Sequence, residues 1–507
     1  MSGPNKKNLV LAGAGVAVIA VIAVAALTLK PATDPVTGGT EPAPWTPPEH
    51  VDATGVKVEG IPGIPTEPIQ MTIPSEPQLL VSLVVDLFEP AKIIQAARTN
   101  AWFTGVMDTP LGRGFVGAWA GFFGARGEDL GSTFSGTLLD TAIGKVFDQP
   151  ARILWLGADY RRATPVIVIP NADDTAQALL DALAATSQRG QFAAASCPGG
   201  GGAPVNIARI VIADRAVYAT KHEGAIYVGR HPNAVLHGLC AKVDPMERTE
   251  GAAFEIAVSN DKFDRGVQSL LIFAGVTGAP KLVFGLEGDR VVPRGIRGGV
   301  KSPRLVAAKL PATMIDAIPA KTPVLLAVSI DLPPTLDKAA LAKALKGEPV
   351  KGSVPRTVAF LWTPHVDEPD ELAIVWSRAA DKKQLRSIFS ARMSIEEVCG
   401  HLVLSASADA VRAVQGACKK KGPSLAHASP QVKAGLEASS SVLLGVDLGG
   451  LTKHLFLGAW MQEQKRQKKV GVPAEVGAAA GKLEGLPYFG FTGTVQGDRL
   501  VPGGFGS

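Results

Sequence analysis

Gly224 to Val235 reads GAIYVGRHPNAV, and Gly400 to Val411 reads GHLVLSASADAV. The two stretches align without a gap. Each runs from a glycine through a short apolar strand-like segment, a polar break and the start of a helical pattern. Further landmarks recur in the same order on either side. Leu79 to Leu87 (LLVSLVVDL) resembles Leu325 to Leu332 (LLAVSIDL), and each carries an aspartate near its end, Asp86 and Asp331. Ile153-Leu154-Trp155 matches Phe360-Leu361-Trp362. A second apolar run follows in both places, Val166 to Ile169 and Leu372 to Trp376, each leading to an Asp-led helical pattern from Asp173 and from Asp381. Gly288 to Pro293 (GDRVVP) matches Gly497 to Pro502 (GDRLVP), and Phe254 to Val258 matches Val442 to Val446 more faintly. Collinearity of several weak matches is hard to obtain by chance, so the chain reads as an internal duplication.

Each copy alternates short β-rich runs with helical stretches. Strands are expected at 79–86, 152–157, 165–170, 206–212, 215–220, 224–229, 254–259 and 282–288. In the second copy they are expected near 324–331, 357–362, 371–377, 401–405, 442–447 and 488–495. Helices are expected at 173–186 and 232–241, then near 335–346, 381–391, 408–418, 429–438 and 450–468. The runs at Ile153–Leu156 and Val166–Ile169 lie too close for a helical crossover, which excludes a parallel pair there. The fold class is therefore α+β: two related copies of a mainly antiparallel sheet, one face polar and helices packed on the other. The expected divisions are a cytoplasmic N-terminus at 1–8, a transmembrane signal-anchor helix at 9–29, a Pro-rich linker at 30–77, repeat 1 at 78–310 and repeat 2 at 311–507.

Leu9 to Leu29 are 21 consecutive residues without a charge. As a helix they would be roughly 31 Å long, the thickness of a bilayer's hydrocarbon core. Lys6 and Lys7 precede the stretch, and Asp34, Glu41 and Glu49 follow it. The positive-inside rule then places the N-terminus in the cytoplasm and the rest outside. A cleaved signal peptide is the rival reading, since Ala23, Ala25 and Ala26 could serve a peptidase, although its apolar core would be about 7–15 residues. Eleven prolines fall within residues 31–77, which suits a semi-rigid polyproline spacer of at most roughly 140 Å. The expected location is the inner (cytoplasmic) membrane, single-pass, with the ectodomain in the periplasm or extracellular space.

Composition allows a large core: 46% of residues are apolar, 19% charged and 6% aromatic over 507 residues. The net charge of +5 is too weak over this length to imply nucleic-acid binding. Lys419-Lys420-Lys421 and Lys465, Arg466, Lys468 and Lys469 end helical patterns, where cations complement the dipole. They read as solvated helix ends, with an anionic lipid or partner as the alternative.

Of the four cysteines, Cys197 and Cys240 fall in the first copy, Cys399 and Cys418 in the second. A strand of roughly six residues at 3.3 Å each runs out from Cys399, and a helix of roughly eleven at 1.5 Å each returns to Cys418. The lengths nearly cancel. Disulfides Cys399–Cys418 and Cys197–Cys240 are expected, as an extracytoplasmic compartment permits, with buried free thiols as the rival. No cysteine pair has zinc-ligand spacing. Ser424-Leu425-Ala426, a helix, then Ser441 to Asp447 (SVLLGVD) resembles a phrase of certain uncharacterised bacterial envelope proteins that share a domain of unknown function. The order strand, Asp-led helix, strand and helix over 165–241 is similar too. The resemblance implies an anchored extracytoplasmic protein and carries no known active site.

Motifs of chemistry are weak. None of the eight histidines has metal spacing, and His231 and His237 are six apart rather than four. Ser259-Asn260-Asp261-Lys262 fits S-x-x-K, but Lys321-Thr322 is followed by Pro323 where the partner motif needs glycine. Gly199 to Gly202 precede a strand rather than open a helix, so they do not cradle phosphate. Within Pro110 to Gly124, Leu111, Phe115, Trp119, Phe122 and Phe123 share one helical face. Core packing is the default for this face. An exposed aromatic patch at Phe115, Trp119, Phe122 and Phe123, taking an apolar or lipidic ligand, is the functional alternative. The reading is a non-enzymatic binding or structural component without cofactor or metal, its partner an envelope protein or apolar ligand. A hydrolase with a scattered site is the less favoured alternative.

Overall fold

The computed structural model describes residues 81–99, 149–156, 164–170, 191–195, 205–212, 215–229, 232–241, 243–258, 275–288, 290–300, 304–335, 352–363, 371–388, 393–451 and 488–506. The expected membrane span at 9–29, the linker at 30–77, the helix at 173–186 and nearly all of 335–346 and 450–468 lie outside these residues. Among the described residues no helix is long and apolar enough to cross a membrane. By contacts the chain divides into two compact units, one ending at Arg248 and one running from Thr249 to Ser507.

The N-terminal unit holds β1 (Val81–Leu87), α1 (Pro90–Thr99), β2 (Ala151–Leu156), β3 (Thr164–Ile169), β4 (Gln191–Ala195), β5 (Val205–Ile212), β6 (Arg215–His222), β7 (Ala225–Gly229) and α2 (Pro232–Cys240). Its strands pair antiparallel in the order β1-β2-β3-β7-β6-β5-β4. The C-terminal unit begins with β8 (Phe254–Val258), β9 (Val276–Glu287), β10 (Arg290–Val300), β11 (Ala308–Lys309), α3 (Ala312–Ala317) and β12 (Val324–Leu332). It continues with β13 (Val354–Thr363), β14 (Glu371–Trp376), α4 (Lys382–Ile388), β15 (Ser394–Val398), β16 (His401–Ser405) and α5 (Ala408–Cys418). It closes with α6 (Pro430–Glu437), β17 (Ser439–Ser440), β18 (Val442–Asp447), β19 (Tyr488–Gln496) and β20 (Arg499–Gly506). Here the antiparallel order is β15-β16-β14-β13-β12-β18-β19-β20-β10-β9-β8. The fold is mostly antiparallel sheet with helices, an α+β arrangement.

The same pairings recur at matching registers. Leu154 faces Val166 as Leu361 faces Ala373, and Val166 faces Gly229 as Ala373 faces Ser405. Phe254, Phe284 and Pro293 line up as Val442, Gly493 and Pro502 do. The first landmark departs from this scheme. Leu154 pairs with Val84 and Leu361 with Leu325, which sets Asp86 against Ala327 rather than Asp331. Both strands are apolar runs ending in Asp-Leu, and similar composition hid a four-residue slip.

The recurring glycines have a backbone cause. Glu223-Gly224 and Cys399-Gly400 are two-residue hairpin turns with φ of 48° and 77°, and 50° and 81°. Positive φ at both central residues is the type I′ pattern, in which glycine is strongly preferred. Gly288 and Gly497, each at φ 63°, lead the β9–β10 and β19–β20 turns. Strands β10 and β20 also pair with each other, Gly298 with Leu500 and Gly299 with Arg499. A Cβ on Gly295 would strike the Gly503 backbone, and one on Gly504 the Pro293 backbone. Glycine therefore permits the two strands to meet. Sequence reading missed β10 and β20 because their glycines and prolines argue against strand. It also missed β4, β15, α1 and α3, which are short.

In the C-terminal unit, Met314 and Ile315 of α3, Val411 and Val414 of α5, and Val432 and Leu436 of α6 form one core cluster with the strands. Their strand partners alternate, as in Leu325 and Ala327, Ala359 and Leu361, or Ala373 and Val375, so they belong to one face. Ser407 caps α5 by accepting from the Ala410 amide at 3.2 Å. Ser429 and Pro430 start α6 in the usual cap and first-turn positions. In the N-terminal unit, Val235 and Leu236 of α2 pack with Ile207. The expectation of a polar outer face fails for the central strands. All of β2 and β16, and Leu325–Ile330 of β12, are buried. Their near-continuous apolar sequence is the pattern of strands covered on both faces.

Candidate functional site

Phe115, Trp119, Phe122 and Phe123, the Ser259/Lys262 motif, Gly199–Gly202, His231 and Cys197 all lie outside the described residues. Among the described residues, buried polar clusters and one exposed basic corner stand out.

The buried clusters centre on charged residues inside apolar strands. In the N-terminal unit, Arg152 of β2 forms a fork with Asp86 of β1, Nε to Oδ1 at 2.5 Å and Nη2 to Oδ2 at 3.0 Å. Its Nη1 donates to the Asp244 carbonyl at 2.7 Å. In the C-terminal unit, Arg356 of β13 is 1% exposed and all five of its N–H donors are used. Nε and Nη2 donate to Asp381 at 2.7 and 3.3 Å, Nη1 to the Leu332 and Val354 carbonyls at 3.1 Å each, and Nη2 to Pro334 at 3.3 Å. Asp381 also accepts from Trp376 Nε1 at 2.7 Å. A guanidinium so placed pins the ends of β12 and β13 to the start of α4. Both carboxylates are committed to fork-shaped charge-assisted bonds, which suits holding strands together rather than moving protons.

A third cluster has no counterpart in the second copy. Glu255 of β8 is buried, accepts from the Thr249 amide at 2.9 Å, and has Arg297 at 3.1 Å and Lys281 at 3.9 Å. Lys281 and Arg297 stand directly opposite across β9 and β10. Like charges so placed repel, and the carboxylate between them offsets that. The position matching Glu255 is Leu443, buried in the apolar core. Beside this cluster Phe254 and Phe284 stack at 4.4 Å between centroids, with Phe491 edge-on to Phe284 at 4.9 Å.

Two histidines touch hydroxyls. His401 opens β16, is buried, and has Nε2 3.1 Å from Thr313 Oγ1. Burial lowers its pKa, with hydrogen bonds to Thr313 and Ser377 acting in the opposite direction. His427 Nδ1 is 3.2 Å from Ser424 Oγ. That pair is a capping box closing a single helical turn at Leu425–His427, and Ser424 is buried. Among the described residues neither histidine is paired with a carboxylate that would orient it toward a hydroxyl nucleophile. The Tyr488 phenol is raised well above its ordinary range by burial and then by the Asp447 carboxylate. Among the described residues no group of three or more His, Cys, Asp or Glu side chains could hold a metal ion.

The exposed corner gathers at the end of α5. Cys399 and Cys418 form a disulfide with Cα atoms 6.5 Å apart, as the strand and helix lengths predict. Cys399 is exposed and Cys418 partly so. Cys240 is also disulfide-bonded, while its expected partner Cys197 lies outside the described residues. The copies differ at the turn, where Glu223 occupies the place of Cys399. Lys419, Lys420 and Lys421 follow Cys418 directly and are exposed.

Arg152, Arg356 and Glu255 are legible only as charges interrupting apolar strands (ARILWL, RTVAFLW, FEIAV). Asp381 reads from sequence as a helix leader, without its arginine. No family model, curated protein or solved structure matches the chain.

Proposed function

We propose that the chain is a membrane-tethered extracytoplasmic protein that serves the cell envelope as a binding or structural component rather than as an enzyme. The observation that carries the reading is the state of the cysteines. All three among the described residues are disulfide-bonded, which fits an oxidising compartment and is rare in the cytosol. The uncharged stretch Leu9–Leu29 supplies an anchor of bilayer length, and the Pro-rich segment after it supplies a spacer. The phrase shared with uncharacterised envelope proteins supports the same location. The buried arginine forks and the strand-to-strand glycine packing support a rigid scaffold.

The test is made in cells. Full-length protein should stay with membranes in alkaline carbonate, and protease added to spheroplasts should digest everything beyond the anchor. Non-reducing peptide maps should return Cys399 joined to Cys418 and Cys197 to Cys240. Recovery in the soluble cytosolic fraction with thiols open to alkylation would sink the proposal.

A further inference from the structure

The end of α5 carries more positive charge than a helix terminus requires. Lys419 is the residue after the helix, and the Lys419, Lys420, Lys421 and Gly422 amides return to carbonyls of the last turn between Gln415 and Ala417. This is a Schellman-like closure, with its left-handed position held by Lys420 at φ 55°. Glycine is the usual residue there because a Cβ is strained in that conformation. A single lysine near the terminus would satisfy the dipole, and it need not occupy the strained position. The next loop adds a fourth cation. The Ala320 amide donates to the Pro423 carbonyl at 3.0 Å, and Pro319 bridges Ser424, which brings the turn that carries Lys321 beside the segment after Lys421. All four lysines are exposed. None pairs with a carboxylate among the described residues. The Cys399–Cys418 bond and the loop hydrogen bonds fix the backbone that presents them.

We propose that this corner docks on the phosphate headgroups of an anionic bilayer. Phosphate is the complement of several exposed ammonium groups carried on one fixed stretch of backbone, none of them paired with a carboxylate among the described residues. The tether holds the unit within reach of a bilayer, and for this source of phosphate the inference rests on the anchored reading above. Each lysine near such a surface contributes roughly five-fold in partitioning, so Lys419–Lys421 together contribute on the order of 100-fold.

The experiment uses the full chain with vesicles of phosphatidylcholine, with and without phosphatidylglycerol, and reads lysine acylation by mass spectrometry. Lys321 and Lys419–Lys421 should acylate several-fold more slowly on anionic vesicles. The exposed Lys383 and Lys433 should not change. The protection should vanish in about 1 M salt, where the screening length is roughly 3 Å. The variant Lys420→Gly relieves the strained position, so it should melt no lower than the parent while losing about five-fold in partitioning. Equal slowing at all lysines would overturn the proposal. So would protection by inorganic phosphate alone that matches the anionic vesicles, because the source would then be soluble. Protection on added anionic vesicles by a chain that washes out in carbonate would leave the corner intact and defeat the anchor.

Discussion

Removing one end of the Arg356–Asp381 pair should destabilise the C-terminal unit far more than its surface ion pairs could. In Arg356→Met the strand keeps an apolar stem in the same volume, but Asp381 remains as a carboxylate 2% exposed with Trp376 as its only remaining donor among those described here. Three carbonyls, of Leu332, Pro334 and Val354, each lose a hydrogen bond as well. Stranding a buried charge in this way costs about 3–5 kcal/mol. Asp381→Asn, which strands the cation instead, should fall in the same range. The exposed pair Arg412–Asp409, about two-thirds accessible on both sides, is the control and should cost under about 1 kcal/mol. Replacing both members, as Arg356→Met with Asp381→Leu, should recover much of the loss, because a buried pair and an apolar filling are often close in energy. Hydrogen exchange read on peptides covering 352–363 and 371–388 follows this unit alone and avoids assuming two-state unfolding of the whole chain. A loss below about 1 kcal/mol in either single variant, or strictly additive single and double losses, would refute the view that the fork organises this part of the fold.

Two further outcomes follow from the same unit. The Cys399–Cys418 bond closes a loop with a sequence separation of 19, worth about 3 kcal/mol in chain entropy. Cys399→Ser with Cys418→Ser should therefore lower the thermal midpoint by roughly 6–12 °C, and an unchanged midpoint would count against that account. His401 has its pKa lowered by burial, so between that value and the ordinary one of about 6.5 the unfolded chain holds the extra proton. The stability it confers is present above about pH 6.5 and is lost as pH falls through this window. His401→Gln should flatten the slope of stability against pH there, as measured by denaturant titration, and an unaltered slope would contradict the assignment.

What could be read from residue order alone was whatever rests on local pattern. The matches at Gly224/Gly400 and Gly288/Gly497 survived because each marks a turn whose backbone needs positive φ. The Cys399–Cys418 pairing was legible because two element lengths fixed it. The slip at Asp86 and Asp331 was not, since strand register depends on partners far away in sequence and both segments carry the same apolar composition. Strands β10 and β20 escaped for the opposite reason. Their glycines look like loop residues in isolation and make sense only once another backbone lies against them. The aromatic segment at 110–124, read from sequence as core packing by default and as a ligand site in the alternative, lies outside the described residues and stays a sequence expectation.

The polar interior separates the two copies in a way their shared pairing does not. Each has an arginine near the start of its second strand, and each arginine meets a buried aspartate. The aspartate comes from the preceding strand in one case, Asp86, and from the helix after the third strand in the other, Asp381. Leu443 replaces Glu255, and Glu223 stands where Cys399 is. Backbone hydrogen bonding constrains the order and register of strands, so those features persist at matched positions. A buried charge is constrained only to find a partner with its remaining donors filled, and that can be met from different elements. The lysine corner belongs with the second kind of feature. Its cations sit after α5 and in the loop after α3, both in the C-terminal unit, so the membrane contact proposed for them falls to that unit alone.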